Sequence, residues 1–101
     1  MYGLINRFVA HPGQRDAAIA PMLEGVPSPD GCLSFVVARD PGHPDAFWLT
    51  EVWISQGAWA ASVQRPDVKA GIDAMIPLIA DWGTEVVTEP LGGIGLHMPQ
   101  A

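Results

Sequence analysis

The chain has 101 residues and a formal net charge of −6, and its five basic side chains, Arg7, Arg15, Arg39, Arg65 and Lys69, are scattered along it. This argues against nucleic acid as a partner, since phosphate-backbone binding needs clustered positive charge. The length fits one domain. With 49% apolar and only 16% charged residues, its surface is short of charge, which predicts apolar surface hidden in an oligomer. A single cysteine, Cys32, excludes an intramolecular disulfide, and there is neither a basic-then-apolar leader nor an apolar run long enough to span a bilayer. The expectation is a soluble cytoplasmic protein.

Tyr2 to Ala10 reads as a strand, with Leu4, Asn6 and Phe8 on one face and Ile5, Arg7 and Val9 on the other. His11-Pro12-Gly13-Gln14 is a turn, and Arg15 to Gly25 has helical spacing through Ala18, Ile19, Met22 and Leu23, with Pro21 expected to kink or shorten the helix. Val26 to Gly31 is a connection, and Cys32 to Arg39 a strand rich in Val, Phe and Leu. Asp40 to Asp45 supplies a six-residue hairpin loop leading into Ala46 to Ile54. That last strand is almost wholly apolar yet contains Glu51, and a carboxylate there requires pairing or a task.

Ser55 is a good N-cap for a helix over Gln56 to Gln64, and Pro66 opens another, from about Asp67 to Ala80, weakened by Gly71 and Pro77. Thr84 to Glu89 is a short strand. Residues 1–90 thus form the domain, and 91–101 a glycine-rich tail. The order of elements predicts an α+β fold of the ferredoxin-like βαββαβ type, an antiparallel sheet with helices on one face. The other face would be uncovered, and a second sheet is expected to pack against it.

Asn6 is a candidate catalytic residue, because a carboxamide within an apolar strand can donate to a phenolate or to oxygen, although it could equally satisfy backbone groups. The four tryptophans, Trp48, Trp53, Trp59 and Trp82, could stack on a flat aromatic substrate or serve ordinary packing. His11, His43 and His97 lie in a turn, a loop and the tail, with no i,i+4 spacing or nearby cysteine, so no metal site is expected. Cys32 is expected to be a small core residue, and Gly92-Gly93-Ile94-Gly95 lacks the strand-to-helix context and the lysine of a phosphate loop. A flexible arm over a partner subunit suits that segment better.

Asn6-Arg7-Phe8, His11-Pro12-Gly13, Pro29-Asp30-Gly31-Cys32-Leu33, Glu51-Val52-Trp53-Ile54-Ser55 and Val86-Val87-Thr88-Glu89-Pro90 together resemble the antibiotic biosynthesis monooxygenase (ABM) superfamily, over about nine-tenths of the chain. The resemblance implies a homodimeric α/β barrel closed through the sheet faces, with a pocket between sheet and helices in each subunit. It also implies oxygenation of a quinol, anthrone or related polyketide-like aromatic without flavin or metal, because the substrate anion itself reduces oxygen. Asn6 stands where some relatives carry a catalytic asparagine, and Arg7 and Glu51 are expected to form a structural ion pair, within a subunit or across the dimer. Many relatives place a histidine about nine positions after the tryptophan of E-x-W-x-S, where this chain has Ser62. The usual base is therefore absent, and Ser62 becomes a candidate substrate contact. Haem degradation is disfavoured, since neither Ser62 nor Ile72-Asp73 supplies that branch's tryptophan and iron-ligating histidine. The alternatives are a non-catalytic, stress-related or aromatic-binding dimer, or a polyketide cyclase or isomerase.

Overall fold

A computed structural model describes residues 1–24 and 30–97; most of the expected 26–31 connection, and residues 98–101 of the tail, lie outside this range. Strand β1 (Tyr2–Ala10) is central. It pairs antiparallel with β3 (Ala46–Trp53), setting Leu4 opposite Glu51, Asn6 opposite Leu49, Arg7 opposite Trp48 and Phe8 opposite Phe47. Strand β2 (Cys32–Arg39) adds to the outer side of β3. On the other side of β1, two short strands share the edge: β5 (Glu85–Thr88) lies along Gly3 to Asn6, and β4 (Ile79–Asp81) reaches Val9 and Ala10. The order is β2-β3-β1-β4, with β5 also on β1, which is the ferredoxin-like arrangement expected from the sequence.

Helices cover one face. Directly opposed residues share a face, so the side carrying Leu4, Phe8, Phe47 and Leu49 meets α1 (Arg15–Leu23) and α3 (Pro66–Met75) in a core of Phe8, Ala18, Ile19, Phe47, Leu49, Met75 and Ile79. The Phe8 and Phe47 rings stand 5.4 Å apart at 43°, and Phe47 is fully buried. Pro21 falls in the last turn of α1, where its missing N–H leaves the Ala17 carbonyl without that donor, and the helix ends two residues later. Helix α2 (Gln56–Ser62) starts as expected, with Ser55 Oγ accepting from the Ala58 N–H at 3.1 Å.

The end of the last helix differs from expectation. Helix α3 stops at Met75, a 3-10 turn takes Ile76–Leu78, and Ile79 enters β4. Pro77 lacks the N–H that another α-turn needs, and Ile79, 7% exposed, gains more from burial in the core than from a helical position. The short strand β4 thus precedes the expected last strand, β5, with a break between them. At Gly83, with φ of 58°, the chain passes so close to the carbonyl of Arg7 that a β-carbon would collide with it. The Arg7 N–H then donates to the Thr84 carbonyl at 3.0 Å. This break sets Trp82 outside the sheet and Glu85 opposite Asn6.

The other sheet face carries Val36 and Val86, 54% and 44% exposed, together with Trp48. The described part of the tail turns back, with the His97 N–H donating to the Leu33 carbonyl at 2.7 Å. Among the described residues no helix is long and apolar enough to cross a membrane.

Candidate functional site

Along the helix side of β1, Tyr2, Leu4, Asn6 and Phe8 follow one another at every second position, and each brings neighbours with it. Tyr2 packs on Trp59 of α2 with ring centroids 5.7 Å apart. Leu4 lies between Glu51 and Val87, and Asn6 between Leu49 and Glu85. Phe8 meets the edge of Trp82 at 5.6 Å and 88°. Two aromatic groups therefore bracket a polar patch of Asn6, Glu51 and Glu85. The patch opens towards the β5 edge, where Val87 is 58% exposed on the same face and Glu85 is exposed.

Within it, Asn6 is 9% and Glu51 7% exposed. The Trp53 indole N–H donates to Glu51 Oε1 at 3.2 Å. Burial pushes the Glu51 carboxyl above its ordinary range; the Trp53 N–H pulls it back in part, and the charge of Glu85 adds to the rise. Cys32, opposite Trp53 on β2, is raised too, by burial and then by Glu51. The carboxamide of Asn6 makes no hydrogen bond to a described residue. Nor is it sealed off, since Arg15 Nε alone among the described residues is both buried and partnerless. Its donors and acceptor stay available to a ligand.

Within the chain the expected ion pair between Arg7 and Glu51 is not formed, because strand parity puts the two on opposite faces of the sheet. Arg7 instead donates to Asp40 Oδ2 at 3.1 Å, and its guanidinium stands 5.9 Å from the centre of the Trp48 ring. Trp48 therefore belongs to the open face, away from Asn6, whereas Trp53, Trp59 and Trp82 all serve the helix side. Ser62 is 4% exposed, but its hydroxyl already donates to the Trp59 carbonyl at 2.7 Å, so it holds the end of α2. His11 and His97 are exposed and His43 half-buried, the last accepting at Nδ1 from the Asp45 N–H. Among the described residues no group of three or more His, Cys, Asp or Glu could hold a metal.

Tyr2 and Glu85 were not singled out by sequence. The alternation of Glu85 with Val87 put both on one face, but only the register against β1 shows that this face is the one bearing Asn6. Two open depressions, each about 480 Å³, lie elsewhere: one between α1 and β2 lined by Ile19, Leu23 and Val37, the other at the β2–β3 loop. The first is mostly apolar and the second is a loop surface, so neither matches the convergence of polar and aromatic groups around Asn6.

A ferredoxin-like α+β domain with a carboxamide and a buried carboxylate among aromatics on its helix-covered sheet face is the class defined here. The chain belongs to the antibiotic biosynthesis monooxygenase family, whose model, "Antibiotic biosynthesis monooxygenase", matches residues 1–74. A crystal structure of a protein of that monooxygenase type from Chloroflexus aurantiacus J-10-fl is 50% identical, with a TM-score of 0.89 over 94% of this chain and 97% of that one. Similar proteins from Deinococcus radiodurans and Nitrosomonas europaea are 24% and 18% identical, with TM-scores of 0.74 and 0.80. They cover 93% and 91% of this chain, and 96% and 100% of their own, and at that identity they speak for the fold alone. No curated protein matches the chain.

Proposed function

We propose that this protein is a cofactor-independent monooxygenase acting on a quinol, an anthrone or a related aromatic. One atom of O2 enters the substrate carbon and the other leaves as water, with all four electrons supplied by the substrate, as in the conversion of an anthrone methylene to a carbonyl. The observation that carries this reading is the free carboxamide of Asn6 on a nine-tenths buried floor, bracketed by Tyr2 and Trp59 on one side and Phe8 and Trp82 on the other. An amide donor aimed at a developing oxyanion in such a place stabilises it far more than it would in water. The rings supply stacking surface, and their bulk keeps water from the anion.

The working unit in this proposal is a homodimer in the cytoplasm. The open sheet face, with Val36, Trp48 and Val86, packs on its counterpart, and the exposed Leu91 and Ile94 of the tail reach over the partner. Incubation with hydroquinones and anthrones, with and without air, tests the activity. Oxygen-dependent loss faster than without the protein supports it, and equal rates sink it.

Ser62 favours a second reading, a non-catalytic aromatic-binding dimer, because its hydroxyl is committed to Trp59 and cannot replace a histidine base. Tryptophan quenching by an aromatic ligand without oxygen uptake would select it. Turnover without oxygen uptake would select a cyclase or isomerase.

A further inference from the structure

Within the chain Glu51 has no ion pair with Arg7, and its only described donor is the neutral Trp53 indole at 3.2 Å. Its Oε2 takes no hydrogen bond from a described residue. The groups that face it come from four strands: Trp53 on β3, Cys32 and Phe35 on β2, Leu4 and the neighbouring Asn6 on β1, and Glu85 on β5. Helix α2, Gln56–Ser62, brings no titratable group. No arginine or lysine is among the groups that shift it, and Arg7 is held on the far face by Asp40. Independently of this acidic pair, Asn6 lies opposite Glu85 and diagonal to Glu51, nine-tenths buried and without a hydrogen bond to a described residue.

We infer that Glu51 is the group that accepts the substrate's proton, and that the site takes an uncharged phenol or anthrone rather than an anionic one. The inference rests on the oxygenation reading above and supplies the base that Ser62 cannot. A C–H bond of an anthrone methylene, or a phenolic O–H bond, breaks. The proton goes to Glu51 Oε2, and the electron pair stays on the ring system, with its oxygen against the Asn6 amide. The negative charge moves from Glu51 to the substrate, so Glu51 and the substrate are never charged together. A substrate that arrived already charged would meet Glu51 and Glu85, and no arginine or lysine is among the groups that shift Glu51. The raised affinity of Glu51 for a proton suits an acceptor from a weak acid.

Anaerobic exchange of the anthrone methylene hydrogens with D2O, followed by NMR, tests the step apart from oxygen chemistry. The native protein should speed exchange, and Glu51→Gln, which keeps an acceptor for Trp53, should lower it by about 10²-fold or more while anthrone still quenches tryptophan fluorescence. The rate should rise with pH through one inflection above the ordinary glutamate range. Glu85→Gln should move that inflection to lower pH, and Glu51→Gln should abolish it. Unchanged exchange in Glu51→Gln, binding without acceleration by the native protein, or failure of anthrone and methylhydroquinone to bind would overturn the inference. Glu51-dependent exchange without oxygen uptake would leave it standing and remove the monooxygenase reading.

Discussion

The Trp53 indole N–H and Glu51 Oε1 meet at 3.2 Å on the helix face of β3, two residues apart on one strand. That bond is too little to offset the burial of a charge, and the Glu51 carboxyl is raised accordingly. An unfolded chain releases this proton in the ordinary glutamate range, whereas the folded chain holds it to higher pH. Stability is therefore full below the ordinary value and is lost as pH rises through the raised one. Glu51→Gln is expected to melt higher than the native protein at pH 7, with the difference vanishing below the ordinary glutamate range. Thermal melts across pH check this, and a lower melting temperature at pH 7 would contradict it.

Asp40 has the opposite sign. The Gly42 N–H, and after it the Arg7 guanidinium, hold its carboxyl below the usual range, so its contribution is present above that range and is lost as pH falls through the folded value. Arg7→Ala should raise the Asp40 pKa without restoring it fully, because the Gly42 N–H remains at 2.8 Å. Carboxyl NMR titration reads this directly.

Much of the fold was legible because alternation and turn chemistry are local. The faces of β1, the capping by Ser55 and the six-residue hairpin loop all follow from a few neighbouring residues. The Arg7–Glu51 pairing failed because it needed the register of β1 on β3, where Leu4, not Arg7, stands opposite Glu51. The helix expected to reach Ala80 failed because Ile79 is drawn into the core by contacts distant in sequence. Asn6 was visible as a polar group in an apolar strand, while Glu85 became meaningful only once β5 was paired to β1.

Phe47, fully buried against Phe8 and the helices, anchors this face. Phe47→Ala is expected to cost about 3–5 kcal/mol of unfolding free energy. Urea denaturation should show a lower midpoint at similar slope.

The open face provides a test of assembly. Val36 lies on it, opposite Thr50 and 54% exposed, and a buried charge there would oppose association of two sheets. Sedimentation should give the mass of two chains for the native protein and one for Val36→Glu. A native protein that sediments as a single chain would remove the dimer from the account.

The most direct measurement is oxygen uptake with anthrone and hydroquinone substrates, comparing the native protein with Asn6→Ala. The account expects uptake above the protein-free rate, reduced by about 10²–10³-fold when the donor to the oxyanion is removed. Native uptake no faster than the protein-free solution, or undiminished uptake by Asn6→Ala, would contradict it.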